Sequence, residues 1–208
     1  MSIPKDLAFE ETEYRQRIER VQHILAGRGM DAVLLFSPQN ICYLSGMDSE
    51  NQFDFQGLIV PASGEPVLVI FDFEKARYEN SCWVSNIRTY SSFENPVEAT
   101  LKAVSEVTKR WAKIGVELRA RVLPAPDLDS IVAGLHGWDV CDAFGIVEQC
   151  RLIKSPAEIA LMRRAAEITD LGIEAGYAQM TEGRPDRDVA AAITGAMYRA
   201  GSDTVCWG

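Results

Sequence analysis

Residues 19–48 read ERVQHILAGRGMDAVLLFSPQNICYLSGMD, and three successive patterns in them set the fold class. Apolar residues recur at helical steps of three and four through Tyr14, Ile18, Val21 and Leu25, until Gly27-Arg28-Gly29 stops them. The run DAVLLFS at 31–37 is short, apolar and β-branched enough for a buried strand. PQNICYLSG at 38–46 then reads as a turn and a short helix closed by Gly46. A helix followed by a buried strand is the opening unit of an α/β domain.

Outward from there the alternation continues. GLIVPASGEPVLVIF at 57–71 predicts two strands around a Ser63-Gly64 turn, a hairpin that makes the sheet mixed in direction. DFEKARYENS predicts a helix of two turns, VSNIRTY a strand, and NPVEATLKAVSEVTKRW a helix with Val97, Leu101, Val104 and Val107 on one stripe. KIGVEL, PAPDLDSIVAGL and WDVCDA follow as strand, helix and strand. The expectation is a layered α/β sandwich, a mixed sheet with helices on both faces. No GxGxxG follows the first strand, where SPQNICYLSG stands instead, so a nicotinamide or flavin cofactor is not expected.

The segment 145–154, GIVEQCRLIK, reads as a boundary, giving a first domain over 1–150 and a second segment over 151–208. Ser155, Pro156 and Glu158 form the signature of a capped helix start. The helix is expected to bury Ile159, Met162, Ala166 and Ile173 along one face. TEGRPD breaks it, and RDVAAAITGAMYRAG starts a second, alanine-rich helix. Two amphipathic helices need an apolar partner, which leads to the expectation of a longer polypeptide whose further sheet they cover.

Composition narrows the function classes. Of 208 residues 47% are hydrophobic and 25% charged, which describes a globular chain, and the net charge of −9 disfavours a nucleic-acid surface. No apolar run is long enough to cross a membrane and the first residues do not read as a signal peptide, so a cytoplasmic location is expected. The five cysteines form no pair at metal-ligand spacing, and each reads as a small buried hydrophobe. The two histidines, His23 and His136, have no second histidine or paired carboxylate at ligand spacing.

Two motifs carry a family resemblance. Asn40, Ile41, Tyr43, Leu44 and Gly46 match an Asn-Ile-x-Tyr-Leu-x-Gly segment, and Arg151, Lys154, Ser155, Pro156, Glu158 and Ile159 match an Arg-x-x-Lys-Ser-x-x-Glu-Ile junction. Together they resemble the amino-terminal domain and the lead into the pita-bread catalytic domain of the creatinase, Xaa-Pro peptidase and ectoine hydrolase family. The resemblance implies a creatinase-type amino-terminal α/β domain followed by the first two helices of a pita-bread α+β domain. It implies, for the whole protein, a hydrolase of a C–N bond using two divalent metal ions (Mn, Zn, Co or Fe) held by two Asp, one His and two Glu from strands further along. It also implies a homodimer acting on an X-Pro peptide or a small molecule such as creatine or ectoine. The alternative is a non-catalytic binding module of the same fold. No catalytic residue, metal ligand or cofactor is assigned within these residues, and the chain alone is expected to be inactive.

Within the resembling family, loops of the amino-terminal domain overhang the catalytic cleft. The loop MDSENQFDFQG at 47–57 is therefore the first candidate site: Phe53 and Phe55 alternate with Asp54, and Asp48 and Glu50 add charge, offering an apolar wall and carboxylates to a small zwitterionic or basic ligand. The same pattern fits a solvent loop with its phenylalanines tucked beneath it. Arg88, with Trp83 and Tyr90 nearby, is a second candidate, a guanidinium able to pair with a substrate carboxylate. Cys206 and Trp207 stand near the start of a further substrate-side segment by the same resemblance.

Overall fold

The computed structural model describes residues 6–47 and 54–203. The chain divides into two compact units, Met1–Ile153 and Lys154–Gly208.

The first unit opens with α1 (Glu11–Gly27), which buries Tyr14, Ile18, Val21 and Leu25, the predicted stripe. Strand β1 (Ala32–Leu35) leads into α2 (Pro38–Ser45), and Gly46 closes that helix in the left-handed conformation at φ 77°. A side chain there would be strained, and its Cβ would come within 2.7 Å of Leu7. Strands β2 (Gly57–Pro61) and β3 (Val67–Phe71) form the expected antiparallel hairpin. A turn of 3-10 helix at Asp72–Glu74 precedes α3 (Lys75–Ser81), and β4 (Ile87–Tyr90) follows. Then come α4 (Pro96–Val107), β5 (Lys113–Val116), α5 (Ala125–Gly134) and β6 (Asp139–Asp142).

The six strands lie in the order β4-β3-β2-β1-β5-β6. The pairings β1–β2 and β2–β3 are antiparallel, while β1–β5, β3–β4 and β5–β6 are parallel, so the sheet is mixed as the hairpin requires. Alternation along β1 feeds both faces. Val33 and Leu35 join one core with residues of α1, α2 and α3, while Ala32 and Leu34 join another with residues of α4 and α5. Each fully buried Val or Leu side chain contributes about 1.5–3 kcal/mol. The exposed Asp139 and Asp142 on edge strand β6 discourage further strand pairing.

One element was not foreseen. Residues taken as a boundary contain α6 (Ile146–Leu152), whose Ile146, Val147 and Cys150 enter the α1/α2 core. Seven residues with only three buried side chains carry too short a period to stand out against a junction.

In the second unit, α7 (Pro156–Gln179) starts with the expected capping box: the Glu158 backbone N–H donates to Ser155 Oγ, and the Ser155 N–H donates to Glu158 Oε2 at 2.7 Å. Helix α8 (Asp186–Arg199) follows. The apolar face expected on α7, with Ile159, Met162, Ala166 and Ile173, is not covered within this chain, Met162 being 57% exposed. The seam instead runs through Ile168, Gly172 and Gly176 at four-residue steps. A Cβ on Gly172 would meet Met197 at 2.7 Å, and one on Gly176 would meet Ile193 at 2.7 Å. Helices approach most closely where glycines remove side chains, so α8 chooses the small-residue stripe over the bulky one.

Burial pushes the Tyr14 hydroxyl up to about 12, partly offset by the nearby Arg17 charge. An unfolded tyrosine ionises near 10, so folding favours the neutral form. That contribution is complete below pH 10 and is lost as pH rises towards 12. Stability of the Tyr14→Phe variant, measured by urea denaturation across this window, should therefore fall less steeply than that of the parent. Parallel curves would contradict a buried, neutral Tyr14.

Candidate functional site

Strands β1 and β5 are parallel neighbours whose following helices leave towards opposite faces, α2 to one core and α5 to the other. In α/β sheets a crevice outside the carboxyl ends of such a pair is the favoured ligand position. Here the protein's own side chain occupies it. Glu117, one residue beyond β5 and 2% exposed, accepts the backbone N–H groups of Phe36 and Ser37, each at 2.7 Å, on Oε2. Its Oε1 accepts from Asn40 Nδ2 at 2.6 Å.

This arrangement answers a local deficit. Helix α2 begins Ser37-Pro38, where the serine hydroxyl makes no cap and the proline has no N–H to offer. A carboxylate from 80 residues downstream takes the role, with the positive end of the helix favouring its charge. Asn40 Nδ2 also donates to Glu148 Oε1 at 2.8 Å, and Asn40 Oδ1 accepts from Arg151 Nη1 at 2.8 Å. The two sequence motifs that seemed separate thus meet through a single buried amide.

The rest of the Asn-Ile-x-Tyr-Leu-x-Gly segment is equally structural. Tyr43 donates its hydroxyl to the Cys150 carbonyl at 3.1 Å, while Arg17, 1% exposed, donates to the Tyr43 carbonyl at 2.9 Å. The Arg17 guanidinium also lies 4.3 Å from the Phe9 ring and 4.4 Å from the Tyr43 ring. Trp83 Nε1 donates to the Leu44 carbonyl at 2.8 Å. Helix α2 is therefore tied to α1, α6 and the segment before β4.

Of the predicted site residues, Asp48 and Phe53 lie outside the described residues, as do Cys206 and Trp207. Asp54 and Phe55 stand together at the carboxyl edge, where Asp54 is exposed and Phe55 half-buried. The Phe55 ring packs edge-on against Phe36 at 5.7 Å and Tyr90 at 6.2 Å, and Tyr90 donates to the Phe55 carbonyl at 2.7 Å. Burial, reinforced by the Asp54 charge, pushes the Tyr90 hydroxyl well above its usual range, so it acts as a fixed donor.

Arg88 is not gathered into this group. Its guanidinium binds Glu106 on α4 at 2.8 Å and Asn86 at 2.6 Å. Trp83 is a core residue, with Arg15 stacked 4.6 Å over its ring.

Asp54, Phe55 and the adjoining Gln56 line a small cavity with Phe36, Val122, Leu123, Pro124 and Asp127. Gln56 is 6% exposed, and its Oε1 has no hydrogen-bond donor among the described residues. An unpaired buried carbonyl costs about 1–3 kcal/mol, which makes Gln56 the least explained polar group of the domain. Sequence reading singled out neither Gln56, Asp127 nor Glu117, although an acidic residue directly after an apolar strand, as in KIGVEL, was the visible signal.

The described residues do not fit a metal pair. Among the described residues no group of three or more His, Cys, Asp or Glu could hold a metal ion. His23 and His136 are exposed on separate elements. The Cys141 and Cys150 thiols are pushed up by burial, which keeps them protonated and poor as nucleophiles or ligands. No described helix is long and apolar enough to cross a membrane.

The first unit is thus a mixed six-stranded sheet with helices on both faces, its β1/β5 edge filled by Glu117 and α6 hydrogen-bonded to α2. The Creatinase/Prolidase N-terminal domain family matches residues 17–153, and the chain belongs to it. It is 30% identical over 185 residues to YkvY of Bacillus subtilis (strain 168), covering 89% of this chain and 50% of that protein. To ectoine hydrolase of Halomonas elongata it is 27% identical over 175 residues, covering 80% of this chain and 44% of that one. Among solved structures it resembles dipeptidase PepE from Mycobacterium ulcerans (TM-score 0.73, 22% identity, 96% of this chain and 53% of that). It also resembles the prolidase from Thermococcus sibiricus (TM-score 0.77, 20% identity, 92% and 51%). The chain spans about half the length of the curated relatives it matches. The match across 96% of the chain takes in α7 and α8, the initial helices of the domain that follows.

Replacing Glu117 by Gln leaves one acceptor where three donors converge and turns an NH₂ towards them. The Glu117→Gln variant should lose about 2–4 kcal/mol of unfolding free energy in urea titrations. A loss below about 0.5 kcal/mol, the range of ordinary surface substitutions, would show that the carboxylate is not needed there.

Proposed function

We propose that this chain forms the amino-terminal domain and the lead into the catalytic domain of a metal-dependent hydrolase of a C–N bond. The observation that carries this reading is family membership over residues 17–153 joined to relatives twice as long. Those relatives include an ectoine hydrolase and YkvY, whose name marks it as a candidate dipeptidase. The metal ligands belong to the further residues of such a protein, since the described ones do not form a ligand set.

The share of this domain is substrate-side. The loop 47–57 ends in Asp54 and Phe55, which the Phe36–Phe55–Tyr90 stack holds at the edge of the sheet. Asp48 and Phe53 belong to the same loop by sequence, and Arg88, paired with Glu106 of α4, is a second substrate-side candidate. The exposed apolar residues of α7 and α8, among them Met162, Leu171 and Tyr177, fit helices that go on to cover a further sheet or a second copy in a homodimer. The acidic, aromatic loop favours a small zwitterionic substrate, either an X-Pro dipeptide or a cyclic amidine of the ectoine kind.

The test uses a polypeptide of the full length of the relatives. Hydrolysis of X-Pro dipeptides or ectoine, abolished by a chelator and restored by divalent metal, is the expected result, together with no hydrolysis by the 208-residue chain alone. In the active protein, Asp54→Ala should raise KM about 3–10-fold with kcat little changed, the mark of lost binding shared by ground and transition states. A full-length protein that binds no metal and hydrolyses none of these would be a binding module instead.

A further inference from the structure

Helix α4 carries opposite charges, and an exposed aromatic ring, at its two ends. Before its first turn stand Phe93, 100% exposed, and Glu94, and Glu98 follows within that turn. After its last turn stand Lys109, Arg110 and Trp111, all exposed, the indole by 81%. Twelve helical residues put about 18 Å between the ends. Lys102 and Ser105 are exposed between them and follow Glu98 at helical steps of four and three, so these three residues share the outer face.

An acid near the start of a helix and bases near its end are ordinary complements of the helix dipole. The dipole does not account for the rings. Trp111 has a φ of 70°, the one positive value outside glycine among the described residues. That conformation lets its N–H reach the Gly137 carbonyl at 2.7 Å, a task that glycine performs without strain. An indole kept there against the backbone preference, and left in solvent, points to a use outside its own chain. Nor are the charges matched internally: among the described residues Glu98, Lys109 and Arg110 form no ion pair.

The two ends complement each other, acid and phenyl against base and indole. A separate partner would need both halves of this pattern at the same spacing, and a second copy of this chain already has them. A two-fold axis across the outer face, between Lys102 and Ser105, sets two α4 helices antiparallel. Glu98 then faces Lys109 of the partner subunit, and the Phe93–Glu94 end faces Arg110 of the partner subunit and Trp111 of the partner subunit. Lys102 lies opposite Ser105 of the partner subunit, so like charges do not meet directly. Such a pairing uses both ends twice and closes on itself.

We propose that the outer face of α4 is a self-association surface, on which two copies pair antiparallel through these charges and rings. The surface is separate from α7 and α8 and does not depend on the hydrolase reading.

The test is sedimentation velocity of the 208-residue chain carrying Met162→Glu and Tyr177→Glu, so that the exposed face of α7 does not contribute. This protein should form dimers and nothing larger, with a Kd on the order of 100 µM, weakened about tenfold from low to high salt. Lys109→Glu and Glu98→Lys should each weaken the dimer about tenfold. Combined, they should restore it to within about threefold, because the facing charges are then exchanged. Trp111→Gly should weaken it about tenfold while leaving Tm unchanged or higher, since glycine adopts the same φ freely. A monomer up to about 1 mM, assembly beyond the dimer, or a double variant no tighter than either single one would overturn the proposal.

Discussion

A carboxylate that solvent barely reaches, Glu117, receives three donors at 2.6–2.7 Å and so closes the central edge of the sheet. Without it, the Phe36 and Ser37 backbone N–H groups would lose their acceptor at a helix start where the serine hydroxyl makes no cap. The cost of burying a charge is offset by hydrogen bonds to it, and here two backbone N–H groups and the Asn40 amide supply them. Asn40 then carries the constraint outward to Glu148 and Arg151 on α6. Together with the packing of Ile146, Val147 and Cys150, these hydrogen bonds hold α6 within the first unit.

That constraint also bears on function. The carboxyl edge between β1 and β5 is where sheets of this kind often cradle a phosphate against a helix N-terminus. Glu117 fills that position with an anion already belonging to the chain. A nucleotide would have to displace a buried, triply bonded carboxylate, which agrees with the missing glycine motif. Beyond the plug, Asp54, Phe55 and Gln56 meet the approach to α5.

Much of the architecture was legible because it rests on local periodicity. The α1 stripe, the β2–β3 hairpin, the Gly46 stop and the Ser155 capping box each follow from residues close in sequence. What escaped was long-range or small. Glu117 and Asn40 are 77 residues apart, and nothing in either neighbourhood announces the partner. Helix α6 is too short for its period to show. On α7, the amphipathic reading chose the bulky side chains, whereas packing with α8 depends on Gly172 and Gly176, whose contribution is the side chain they lack. The candidate loop was legible as acidic and aromatic, and the stack of Phe55 on Phe36 and Tyr90 became apparent only once strands distant in sequence were side by side.

The coupling between Asn40 and Arg151 can be measured by a double-mutant cycle with Asn40→Ala, Arg151→Ala and the double variant, each unfolded in urea. If the two family motifs are joined through this amide, the cycle should close with an interaction energy of about 1–2 kcal/mol. Additive losses, agreeing within about 0.3 kcal/mol, would mean that the motifs are independent and that the clamp does not tie α6 to the domain.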